Sequence, residues 1–181
     1  MTDVLRVACV CGSLQAESGN LRLLRRAQEL APHPLKLEIF DGLRALPHFN
    51  PDLDVSGIES VSAWRSCLSS HLAVLIACPE YGHSLPGALK NGVDWVIGSG
   101  ELERKLVAVT ASTPHVERGR RGIQALTNTL AAVSARVLWD TPVVRGDAED
   151  TQLLELLCCL EEAARRELDQ PGALLPLQVK R

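Results

Sequence analysis

The sequence predicts an α/β fold: a doubly wound five-stranded parallel sheet, strand order 2-1-3-4-5, with helices on both faces. Two observations carry this. Val4–Cys11, Leu72–Cys78 and Lys105–Ala111 are short, nearly continuous apolar runs, the pattern of parallel strands covered on both sides. Between the strand segments lie stretches with apolar residues at helical spacing, so strand and helix alternate along the chain. Right-handed crossovers then place helices on both faces. Having five strands rather than six favours this order, in which strands 1 and 3 are neighbours at the switch point and ligands bind beyond their carboxyl ends.

Taken in order, Val4–Cys11 is broken only by Arg6, and a small-residue loop, Gly12–Asn20, follows it. A helix is expected from Asn20 to about Ala31, with Leu21, Leu24, Ala27 and Ala31 along one face. Pro32-His33-Pro34 ends it. Leu35–Phe40 alternates strictly and reads as an edge strand. Gly42–Val55 is a long irregular connection, of a kind that is often functional. A second helix is expected from about Gly57 to Ser70, holding Ile58, Val61 and Trp64.

Leu72–Cys78 is the most apolar run, and Pro79, with no N–H to give, closes it. Ser84 is expected to cap the next helix and Pro86 to occupy its first turn, with Leu85, Leu89, Val93 and Val96 facing the core. Lys105–Ala111 leads through a loop beginning at Ser112 to a helix bearing Ile123, Leu126, Leu130 and Val133. Arg136–Trp139 is the fifth strand. The last helix, about Asp147–Leu168, sets Leu153, Leu157, Leu160 and Ala164 on one face. Pro171-Gly172 stops it, and Leu174–Arg181 forms a tail that packs on a partner or frays.

A length of 181 residues fits a single domain, 1–181, and 46% apolar with 23% charged residues is a globular composition. A net charge of −3 gives no global attraction to nucleic acid or to an anionic membrane. No apolar run approaches the ~20 residues that span a bilayer, and the start does not read as a targeting segment. The cysteines, Cys9, Cys11, Cys67, Cys78, Cys158 and Cys159, sit mostly in apolar segments and lack zinc or redox-pair spacing. Buried thiols in a cytoplasmic protein explain them better than disulfides. The histidines show no metal-ligand spacing, so no metal is expected.

Chemistry concentrates in two loops. Gly12-Ser13-Leu14-Gln15-Ala16-Glu17-Ser18-Gly19-Asn20 joins a strand to a helix, where backbone N–H groups and the helix dipole attract an anion. It has neither the G-x-x-x-x-G-K-[ST] nor the G-x-G-x-x-G pattern. Alone it says only that a small anionic group fits there, and a plain turn with an N-cap reads nearly as well. The second stretch runs from Pro79-Glu80-Tyr81-Gly82-His83-Ser84 through Pro86-Gly87 and Leu89-Lys90-Asn91 to Asp94-Trp95, and it holds the chain's one tyrosine. Lys90 and Asp94 read as an ion pair four apart, and Trp95 as a core or interface residue.

Together the two stretches resemble the NADPH-dependent FMN reductase family, flavodoxin-like proteins that include quinone, azo-dye and chromate reductases. The family's first loop is approximately G-S-x-R-x-x-S-x-N and its second P-E-Y-N-x-S-x-P-G-x-L-K-N-x-x-D-W; Pro79–Trp95 matches at each fixed position except Gly82. The resemblance implies FMN as cofactor and NADPH or NADH as donor. It implies an FMN phosphate site at Gly12–Asn20, with Ser13, Gln15, Ser18, Gly19 and Asn20 as binding positions. Pro79, Glu80, Tyr81 and Gly82 would border the isoalloxazine, with Ser112 approaching from a third loop. The flavin supplies the redox chemistry, so no side chain is expected to be catalytic, and a small-molecule acceptor completes the reaction. A homodimer or dimer of dimers is implied as well.

Some positions depart from the family pattern. Gln15 replaces an arginine, Glu17 adds an acid, Gly82 replaces an asparagine, and Ser112–Gly119 is bulkier than the family's glycine-rich loop. On these rests an alternative: a degenerate binding or regulatory module with weakened or lost FMN binding; a flavin electron carrier is a further one. The short basic cluster Arg118–Arg121 reads as a solvated loop and helix start, with a phosphate contact, such as the 2′-phosphate of NADPH, as its second reading.

Overall fold

In the computed structural model, residues 4–170 are described; Pro171-Gly172 and the tail Leu174–Arg181 lie outside them. The strands are β1 (Leu5–Cys11), β2 (Leu35–Phe40), β3 (Ala73–Ala77), β4 (Leu106–Thr110), β5 (Ser112–Thr113), β6 (Arg136–Trp139) and β7 (Val143–Val144). The helices are α1 (Gly19–Leu30), α2 (Glu59–Ser70), α3 (Gly87–Ile97), α4 (Arg120–Ala132) and α5 (Glu149–Asp169). The main sheet is parallel throughout, in the order β2-β1-β3-β4-β6. This is the expected flavodoxin-like order; the fifth strand is β6 only because the two-residue β5 intervenes and pairs with β7 in a small second sheet.

Alternation along the central strands divides the apolar residues between two cores. Ala8, Val10, Val74, Ile76, Val107 and Val109 point toward α2, α3 and α4, where they meet Trp64, Leu89, Val93 and Leu126. Val7, Cys9, Leu75 and Ala108 point the other way, onto Leu24 and Ala27 of α1 and Leu153, Leu157 and Leu160 of α5. β1, β3 and β4 are therefore covered on both faces, which is why they read as continuous apolar runs. β6 is half-buried along its length, as an edge strand should be.

Two local expectations change. Ser84 does not cap α3. Tyr81 and Ser84 exchange backbone hydrogen bonds of 2.9 and 3.0 Å, which close a tight hairpin, and α3 starts at Gly87 with Pro86 in the cap position. The connection 42–55 contains a 3₁₀ turn at Leu43–Ala45 and is fastened to α3. Asn91 Nδ2 donates to Pro47 O at 2.9 Å and accepts the Phe49 amide through Oδ1 at 2.8 Å, while Trp95 Nε1 donates to Pro47 O at 2.8 Å. Trp95 is a core residue clamping this loop, and Lys90 pairs with Asp94 on the same helix.

Candidate active site

The carboxyl ends of β1, β3 and β4 feed three loops that are bonded to one another. Ser18 is the N-cap of α1: its Oγ accepts the Leu21 amide at 3.1 Å. The chain before it turns back through a Ser18 N to Gln15 O bond of 3.3 Å. Ser13 is buried, and its Oγ accepts the Gln15 amide at 3.3 Å. The amides of Ser13, Leu14, Ala16 and Glu17 have no acceptor among the described residues. With the amino end of α1 beside them, these donors suit a phosphate oxygen; the set fits the anionic end of a nucleotide.

The arginine that the first loop lacks at Gln15 has counterparts from outside it. Arg22 Nη1 donates to Glu17 O at 2.9 Å, and Arg44 Nη2 donates to Leu14 O at 3.4 Å. Two guanidinium groups therefore flank the loop. Arg26 is not available to it, being held by Asp150 and Glu29. A pocket on the β2 side of the loop is lined by Cys11, Ser13, Gln15, Ile39, Phe40 and Arg44. Arg22 had a weak sequence signal, four residues beyond the cap; Arg44 had none, since only the fold brings residue 44 to residue 14.

The second loop leaves β3 at Cys78, whose amide donates to Thr110 O at 2.7 Å. Gly82 and His83 are the central residues of the Tyr81–Ser84 hairpin, with φ of 56° and 63°, the pattern of a type I′ turn. Glycine adopts that conformation without strain, as asparagine does with little, so the departure at Gly82 keeps the turn. Tyr81 is 52% exposed, and its hydroxyl shares a 3.0 Å hydrogen bond with Ser13 Oγ, which ties the second loop to the first.

Glu80 has a structural task. Its Oε2 accepts the Arg121 amide at 3.1 Å, and the Gly122 amide also bonds to it. The carboxylate thereby caps α4, whose preceding residue, Gly119, has no side chain to do so. His83 Nδ1 lies 3.0 Å from the other oxygen. The His83 contact and the two helix amides hold the Glu80 carboxyl below its ordinary value. Gly122 allows this closeness: a Cβ there would lie 2.9 Å from both Pro79 O and Glu80 Cα.

The third loop is bonded to the first through Asn20, whose buried Oδ1 accepts the Ser112 amide at 3.0 Å. Thr113 is 4% exposed and its Oγ1 has no hydrogen-bond partner among the described residues, an orphaned hydroxyl that suits a polar ligand atom. Burial pushes the Cys78 thiol up to about 12 and Cys9 above its ordinary value, so both are inert. Among the described residues no cluster of His, Cys, Asp or Glu suits a metal ion. Ser13, Ser18, Asn20, Pro79, Glu80, Tyr81 and Ser112 thus meet along one sheet edge, while Gln15 is exposed at its outer side.

Known proteins resemble this chain in sequence and in fold. Residues 5–149 match the model of the NADPH-dependent FMN reductase family. A quinone reductase from Pseudomonas putida is 40% identical over 95 residues, covering 52% of this chain and 50% of the relative. An NAD(P)H:quinone oxidoreductase from Solanum tuberosum is 38% identical over 97 residues, 51% and 50% of the two chains. These matches span about half the length of the relatives. Among solved structures, FerB from Paracoccus denitrificans, described as a flavoenzyme NAD(P)H:(acceptor) oxidoreductase, superposes with a TM-score of 0.78 at 27% identity over 94% of this chain and 100% of its own. With the strand order, the loop geometry and the match over most of its length, the chain belongs to the NADPH-dependent FMN reductase family and has the flavodoxin-like fold.

Proposed function

We propose that the protein is an NAD(P)H-dependent reductase that holds FMN along the edge formed by its three loops and reduces a small acceptor such as a quinone. The observation that carries this reading is the set of bonds joining the loops: Ser13 to Tyr81 and Asn20 to Ser112 bring the family's phosphate-side and ring-side positions onto one continuous surface. When bound, the flavin supplies the chemistry of accepting hydride from the nicotinamide and passing electrons on.

The chain's own residues bind, orient and neutralise. The open amides of the first loop, with Ser13 and with Ser18, Gly19 and Asn20 at the start of α1, receive the phosphate; Gln15 lies at its rim. Arg22 and Arg44 supply the positive charge that Gln15 does not. Pro79–Gly82 and Ser112 border the ring, with backbone donors to stabilise negative charge on it. Tyr81 couples the two halves through Ser13, and Glu80 positions the ring-side loop by capping α4. No side chain acts as nucleophile or base.

We also propose a cytoplasmic protein working as a homodimer or a dimer of dimers. Cysteines that are all free support the first. Exposed Phe49, Leu53 and Ile97, on and beside the α3-clamped loop, support the second. NADPH, FMN and a benzoquinone added to the purified protein should give NADPH consumption well above that of free flavin. Consumption at the free-flavin rate, with no FMN bound, would favour the degenerate-module reading instead.

A further inference from the structure

One basic patch lies outside the contacts that join the three loops. Arg118, Arg120 and Arg121 are exposed around the start of α4, and the backbone that carries exposed Arg145 runs beside the same loop, its amide donating to Thr113 O at 2.9 Å. Several arginines elsewhere are matched with carboxylates: Arg6 with Glu38, Arg26 with Asp150, Arg136 with Glu167, Arg165 with Glu161. Arg118, Arg121 and Arg145 have no such partner among the described residues, while Arg120 Nε donates to Val116 O at 3.1 Å and stiffens the loop.

The two acids nearest Arg118 and Arg121 are already engaged. Glu80 is taken by His83 and the α4 amides, and Glu117 lies 3.3 Å from His115. In a chain of net charge −3, this is a local excess of cation with no internal use. Its place is informative too. The Arg121 amide is bonded to Glu80 and Gly122 packs on the Pro79–Glu80 backbone, so the patch is built onto the loop that borders the proposed ring site.

A nicotinamide that reacts with a flavin must lie against the ring, which sends the adenosine end of the donor across the rim. NADPH differs from NADH there by one 2′-phosphate. We propose that Arg118 and Arg121, with Arg145 beside them, bind this phosphomonoester and make the protein select NADPH over NADH. The inference rests on the flavin reading above. Guanidinium groups suit it: they stay charged, and their planar fork matches phosphate oxygens in pairs. At an exposed rim the interaction is screened, so selectivity should fall as salt rises.

The test compares wild type with Arg118→Gln, Arg121→Gln and the double variant, FMN present throughout. Calorimetry with adenosine 2′,5′-bisphosphate and with 5′-AMP is paired with KM for NADPH and NADH in quinone reduction. Wild type should bind the bisphosphate more tightly than AMP. Each variant should raise KM for NADPH relative to that for NADH by about ten- to a hundredfold, the range for a charged hydrogen bond. Arg145→Gln should shift the ratio less. Equal binding of bisphosphate and AMP by wild type, or KM values that move together in the variants, would overturn the proposal. If the flavin reading is wrong, turnover is absent with both donors, yet the bisphosphate preference and its loss in the variants remain measurable. Glutamine keeps the Arg121 backbone bond to Glu80, and matched thermal melts confirm that each variant is folded.

Discussion

Glu80→Ala separates a residue that holds the site from one that touches the ligand. The carboxylate accepts the Arg121 amide at 3.1 Å and also bonds the Gly122 amide, so its removal leaves the first turn of α4 uncapped. Loss of an N-cap costs about 0.5–2 kcal/mol, and loss of an anion beside a helix N-terminus about 0.3–1 kcal/mol. A combined loss of about 1–2 kcal/mol lowers Tm by roughly 2–8 °C in a protein of this size. The pH dependence has a definite sign. The folded carboxyl is held below its unfolded value by His83 and the helix amides, so its stabilisation is present above the unfolded value, about 4.3, and disappears as pH falls below it. Thermal melts of wild type, Glu80→Ala and Glu80→Gln at neutral pH and at about pH 4 are the assay. Alanine should be the least stable at neutral pH, glutamine intermediate, and the differences should narrow in acid. An alanine variant that melts with wild type yet loses FMN would refute the capping role and put the carboxylate on the ligand.

Other outcomes follow from the same contacts. Gly122→Ala places a methyl group 2.9 Å from Pro79 O and Glu80 Cα; the strain of about 1–3 kcal/mol should exceed the ~1 kcal/mol gained in helix propensity and lower the urea midpoint, and an unchanged or higher midpoint would mean that the α4–loop contact is loose. Arg6, Lys36 and His71 hold the Glu38 carboxyl down to about 2, so its stabilisation is present above the unfolded value and lost as pH falls toward 2. Urea melts of Glu38→Gln should show a flatter acid limb than wild type; parallel limbs would contradict this. Ser13→Ala removes both the tie to Tyr81 and a phosphate donor, and fluorescence titration should show FMN bound about tenfold more weakly; an unchanged affinity would exclude Ser13 from the site.

The fold was legible because β1, β3 and β4 are buried on both faces and cannot hide their apolar runs, and because α5 carries a regular stripe from Leu153 to Ala164. Boundaries shifted where a loop had a stronger use for a residue than a helix did. Ser84 closes the hairpin with Tyr81 rather than capping α3, which no local propensity reveals. The two loops were legible as motifs, but the tasks within them were not. Glu80 reads as a ligand-side acid until α4 is seen to lack its own cap, a fact of tertiary contact alone. Gln15 reads as a lost charge until Arg22 and Arg44 are found on either side of the loop. The motif's Asn91 and Trp95 act at a distance from the sheet edge, clamping Pro47 and Phe49, and spacing in the sequence carries no trace of that.

On the reading proposed above, the bonded loops form a working FMN site despite Gln15 and Gly82. Titration of the purified protein with FMN, followed by flavin fluorescence and calorimetry, tests it most directly. One FMN should bind per chain, with a dissociation constant in the micromolar range or tighter, and Ser13→Ala should lose affinity. A folded protein that leaves FMN fluorescence and heat unchanged across that range would contradict it.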